Sequence, residues 1–164
     1  MKIEKPLLGL AAEFLAASEL CCRNMYAQLT LGEKKRTNIL VETEEGMIRL
    51  QVKGKQSSSW PNYTGVYGDE LLILVDNNGK SENERPDFYI LTSEDWKATL
   101  EEVHKDRLRT GKVIIDEHNV PIWPRQIGKN GKPYNSHSIV PREVERFKEK
   151  WERIPKRIGT ASTS

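Results

Sequence analysis

Residues 49–60 read RLQVKGKQSSSW and set an amide, Gln51, and an amine, Lys53, inside an otherwise apolar strand. Successive side chains of a strand alternate faces, so Leu50 and Val52 point one way while Arg49, Gln51 and Lys53 point the other. Two residue rises separate the amide from the amine, roughly 7 Å. Such a strand is either a half-buried edge with a polar outer face or the strand of an active site. Other chemistries lack their residues. His104, His118 and His137 share no metal-ligand spacing and have no paired cysteine, so a zinc site is not expected, and His104 is expected to be a surface or capping residue near a helix end. The strand-to-helix turn of a Ser/His/Asp hydrolase is missing. GKNGKP lacks the GK[ST] ending of a phosphate loop, so no nucleoside triphosphate site is expected.

The elements that must position these groups follow from periodicity. Residues 7–24 place Leu7, Leu10, Ala11, Phe14, Leu15 and Cys21 at helical spacing after Pro6, which predicts an opening helix. Residues 26–31 predict a short strand ending at Gly32. Residues 38–43 (NILVET) and 47–53 (MIRLQVK) predict an antiparallel hairpin turned by Glu44, Glu45 and Gly46. Residues 54–69 are rich in Ser, Gly and Pro and predict a loop, in which Trp60, Tyr63 and Tyr67 either pack or lie exposed. The unbroken run LLILV at 71–75 predicts a strand covered on both faces. DFYIL at 87–91 predicts another, followed by a helix with a Thr92/Ser93 cap and an acidic first turn that runs to about Arg109. Residues 112–138 read as irregular apart from a short strand at 113–115. Pro141 opens a final helix to about Arg153, and 157–164 read as a disordered tail. The expected class is α/β, with α+β as the alternative. It is a single domain with a central mixed sheet of about five strands, a leading helix, a helix after the last core strand and a C-terminal helix.

In this order the opening strand resembles part of the PD-(D/E)XK nuclease superfamily, the fold of restriction endonucleases and archaeal junction resolvases. The resemblance is carried by GLAAEFLAASEL with its interior Glu13, the strand YAQLTLG, the ILV strand and the hairpin into QVK. The continuation through GDELLILVD and RPDFYILTSEDW is similar to small proteins of that superfamily, so the likeness covers roughly residues 9–104. It implies a metal-dependent nuclease acting on DNA. Magnesium or manganese would hold the scissile phosphate and lower the pKa of an attacking water. The resemblance casts Glu13, Asn38 and Gln51 as metal-side residues and Lys53 as the group that positions the nucleophile or stabilises developing charge. The departure is Asn38, which stands where the family has an acid. With Gln51 also neutral, Glu13 would be the only carboxylate near the metal. Glu42 lies about 13 Å further along an extended strand and is a poor substitute. Two readings follow: a nuclease of impaired activity, or a non-catalytic nuclease-fold module that binds nucleic acid or a protein.

Composition is compatible with either. The chain has 164 residues, 30% charged and 37% hydrophobic, enough for one well-solvated domain with a real core. No apolar run approaches the ~18–20 residues that span a bilayer, so no membrane partner is expected. Cys21 and Cys22 are adjacent, so an ordinary bridge between them would be strained, and a reducing, cytoplasmic location is expected. The net charge of +2 identifies no partner, but residues 125–157 hold ten Lys and Arg against four Glu. That excess makes either a DNA-attracting surface or a solvated helical face. Trp123 and Tyr134 interleave with the cations there, so Arg125, Lys129, Lys132 and Tyr134, together with Lys55, are candidate DNA contacts. Residues 1–156 are read as the nuclease-like domain, with 112–156 a basic loop and C-terminal helix extension. Superfamily nucleases often act as dimers, and nothing in the sequence identifies an interface.

Overall fold

A computed structural model of the chain describes residues 2–30, 37–44, 46–63, 65, 66 and 68–155. The leading helix α1 (Lys5–Cys21) begins two residues before the predicted start, with Pro6 in its first turn. Ala12, Ala16 and Leu20, spaced by four, are fully buried beneath it. Small residues let the helix lie close to the sheet. A Cβ at Gly54 would sit 2.7 Å from the Ala12 Cβ and 3.0 Å from the Leu8 carbonyl oxygen, so this glycine is required by proximity rather than by its dihedral angles.

The strands β1 (Ala27–Leu29), β2 (Ile39–Thr43), β3 (Gly46–Lys55), β4 (Trp60–Tyr63), β5 (Leu71–Asp76) and β6 (Asp87–Leu91) supply the main sheet, in the order β1-β2-β3-β5-β6. β4 lies outside it. The predicted β2–β3 hairpin is antiparallel, with Ile39 opposite Leu50 and Thr43 opposite Gly46, whose φ of 120° explains the glycine. Only the central β3–β5 pair is parallel, which makes the sheet mixed as expected. All six residues of β5 are buried. On one face Leu50, Val52, Ile73 and Ile90 pack under α1. On the other, Leu72, Leu74, Tyr89 and Leu91 pack with Trp60, Trp96 and Phe147.

The helix predicted to reach Arg109 is two helices, α2 (Ser93–Val103) and α3 (Lys105–Arg109). Thr92 and Asp95 form the expected cap, the Thr92 hydroxyl accepting from the Asp95 amide. His104 interrupts the run at φ −105°, ψ 13°, with a buried ring. Residues 112–138 are more ordered than their composition implied. They form β7 (Ile114–Ile115), β8 (Pro121–Ile127) and β9 (Pro133–Tyr134), paired as β7-β8-β9, and the predicted 54–69 loop contains β4, which pairs with β10 (His137–Ile139).

The predicted last helix is a single turn, α4 (Pro141–Val144), followed by 3-10 turns at Glu145–Phe147 and Trp151–Arg153. Bonds to the sheet replace its helical continuation. The Glu149 amide donates to the Phe88 carbonyl at 2.8 Å with Glu149 at φ 56°, and Lys148 bridges to Tyr89. Ile139, Val144, Phe147, Trp151 and Ile154 enter the two cores, so this C-terminal region packs as part of the same body. The expected disordered tail, 157–164, lies outside the described residues.

Candidate active site at the open end of the hairpin

Asn38 precedes β2 and uses both ends of its amide. Its Oδ1 accepts from the Val52 amide at 2.8 Å, and its backbone N–H donates to the Leu50 carbonyl at 2.9 Å. The side chain thereby extends the hairpin ladder by one bond. Its Nδ2 donates to Glu13 Oε1 at 2.8 Å. Glu13 lies on α1 beside Ala12 and is buried, so a donor for its carboxylate offsets part of its desolvation. The helix Glu and the strand-start residue predicted to meet are therefore together.

Gln51 faces the other way. Leu50 and Val52 pack under α1, and Gln51 projects toward the opposite core, where its Nε2 donates to Glu70 Oε2 at 2.9 Å. Both side chains of that pair are buried. Periodicity had placed Gln51 on the polar face of its strand, but nothing nearby in sequence marked Glu70, 19 positions away, as its partner. Lys53 shares the face of Gln51 and is exposed, with no ion pair among the described residues.

Lys55 was expected to meet DNA and is instead 1% exposed. Its Nζ lies 2.5 Å from Asp76 Oδ1 and 4.6 Å above the Trp60 ring, and it donates to the Ser57 carbonyl at 3.0 Å. Lys55 and Asp76 are register partners across the parallel β3–β5 pair. A cation so enclosed holds strand ends together and is not presented to a phosphate. Arg125, Lys129, Lys132 and Tyr134 are all exposed on the β8–β9 hairpin.

Among the described residues the donors around Glu13 do not fit a magnesium or manganese ion. A hard cation needs several oxygens, and Asn38 turns an N–H toward the carboxylate while its own oxygen is held by Val52. Among the described residues no group of three or more His, Cys, Asp or Glu could hold a metal ion. Asp69, Asp76 and Asp87 pair with Arg49, Lys55 and Lys80 respectively.

A cluster that spacing did not reveal lies behind α2. The rings of His104 and His137 meet at right angles with centroids 4.9 Å apart, and Trp123 stands edge-on to His104 at 5.4 Å. His137 Nε2 is 3.0 Å from Glu143 Oε2. His104 is buried, and its Nε2 has no hydrogen-bond partner among the described residues. Burial, the neighbouring His137 and then Arg107 lower its pKa to about 4, so the ring is neutral at pH 7.

No family model matches the chain, and no curated protein or solved structure matches it either. Among the described residues no helix is long and apolar enough to cross a membrane.

Proposed function

We propose that the chain is a nuclease-fold protein that acts on DNA phosphodiesters at the open end of the β2–β3 hairpin, with hydrolysis impaired by Asn38. The observation that carries this reading is the convergence of Glu13 and Asn38 beside β3, the strand that presents Lys53 to solvent. The Lys53 ammonium, exposed on the face of β3 opposite Glu13, suits a group that meets a phosphate from solvent. The exposed cations of the β8–β9 hairpin supply a second place to hold the DNA backbone. Incubating the protein with plasmid and single-stranded DNA in Mg²⁺ or Mn²⁺ tests the reading. Slow cleavage that disappears in Lys53→Ala is expected. Cleavage at the wild-type level in that variant sinks the assignment.

The Asn38–Glu13 hydrogen bond favours a second reading, a nuclease-fold module that binds nucleic acid or a protein without cutting. The amide occupies the carboxylate that a cation would otherwise use. Asn38→Asp replaces that N–H with a second acid and so supplies the oxygens that Mg²⁺ or Mn²⁺ requires. Activity gained only in the variant supports the disabled site, and activity in the natural protein rejects it.

A further inference from the structure

The N-terminal segment, the first turns of α1 and the loop after β3 border an open pocket of about 700 Å³. Its wall is fixed at one side by a two-way clasp: the Ile3 amide donates to Gln56 Oε1 at 2.7 Å, and Gln56 Nε2 donates back to the Ile3 carbonyl. Lys2, Lys5 and Lys55 line it, and among the described residues no Asp or Glu does. Asp76 already balances Lys55, so the uncompensated charges are Lys2 and Lys5, both exposed and neither ion-paired among the described residues. The N-terminus of the 17-residue α1 opens here with no side-chain cap, which adds to the positive potential.

The remaining lining is of two kinds. Leu8, Pro61 and the lysine stems give apolar surface, while Ser57 and Ser59 give polar groups. The volume exceeds what a bare inorganic anion needs, and an apolar wall beside cations suits a ligand with a flat organic body and a phosphate. Gly54 of this cavity follows Lys53 directly on β3. Leu8 lies five residues before Glu13 on α1, about 7.5 Å along the helix. The cavity and the candidate site are therefore built from the same helix and the same strand.

We infer that this cavity binds a nucleotide, its phosphate held by Lys2 and Lys5 and its base against Leu8 and Pro61. The choice of nucleotide over other organic phosphates rests on the DNA reading above. The test uses thymidine monophosphate, thymidine, inorganic phosphate and a five-residue oligothymidylate. Each is titrated in EDTA into ¹⁵N-labelled Lys53→Ala protein, whose cavity is intact and which is not expected to cleave.

Thymidine monophosphate is expected to shift the amides of Leu8, Gly54 and Ser59 and to bind more tightly than thymidine or phosphate alone. The double substitution Lys2→Glu/Lys5→Glu, at exposed positions, is expected to weaken that binding roughly tenfold or more while leaving the melting temperature unchanged. Weakening of the oligomer as well assigns the cavity to a nucleotide within a strand, and weakening of the monophosphate alone assigns it to a free nucleotide. Unmoved amides, or equal affinity in the double variant, overturn the inference. Cleavage is measured separately in the natural protein, so a failed nuclease reading leaves this binding result standing or falling by itself.

Discussion

Asn38 is better suited to its hydrogen bonds than an aspartate would be. An aspartate would still accept from Val52, but its other oxygen would face Glu13 Oε1 at hydrogen-bond distance, two anions with no donor between them. The amide removes that conflict and gives the buried Glu13 a donor. His104 makes a different prediction. Burial, His137 and Arg107 hold its folded pKa at about 4, below the ~6.5 of an unfolded histidine. Between those values the unfolded chain binds the extra proton, so His104 contributes stability that is complete above pH 6.5 and is lost as pH falls toward 4. Urea unfolding should show a loss on the order of 2 kcal/mol across that window, beyond what the carboxylates cause. His104→Phe should remove it. An unchanged pH profile in the variant would assign the slope elsewhere.

At the scale of elements, the contact between α1 and β3 decides where Glu13 lies. Gly54 admits the helix backbone to van der Waals distance, and Ala12, one residue from Glu13, is the side chain it meets. Gly54→Ala should push α1 outward, lower stability by about 1–3 kcal/mol and lengthen the Glu13–Asn38 bond. A melting curve and the chemical shift of the Asn38 side-chain amide would check both effects. An unaltered melting temperature would mean that the helix yields without strain. The same element scale explains the misread C-terminal helix. Residues 141–153 have helical composition, yet the Glu149 amide donates to the Phe88 carbonyl, Glu149 accepts from Arg85, and Arg85 also holds Glu19 on α1. Those long-range bonds compete with local helical ones and win in this segment.

Across the whole molecule, most of the described basic residues along 125–155 fall into two groups. Arg142, Arg146, Lys148 and Arg153 border the helical turns, where Arg146 pairs with Glu102, Lys148 with Asp87 and Arg153 with Asp95. Arg125, Lys129 and Lys132 lie exposed on the β8–β9 hairpin with no ion pair among the described residues. A surface that meets DNA through the second group loses affinity with salt in proportion to the phosphates neutralised. Replacing all three by Ala should reduce the slope of log K against log salt by about 3. Fluorescence anisotropy with labelled DNA at several salt concentrations measures it, and an identical slope would exclude the hairpin as the contact.

Much of this architecture was legible in sequence because it rests on local periodicity. The alternation in MIRLQVK, the unbroken LLILV and the glycine in the turn name the hairpin and the central strand whatever surrounds them. The sequence alone also determined that Gln51 and Lys53 share a face and that position 38 carries an amide. Only the tertiary structure decided which partners these groups take. Gln51 meets Glu70, Lys55 meets Asp76, and His104 meets His137 across separations of 19, 21 and 33 residues. Periodicity reports the direction of a side chain from its own backbone, whereas these pairings depend on where another segment passes. That is why Lys55, alike in spacing to Lys53, is sealed at the ends of the two central strands while Lys53 remains open to solvent.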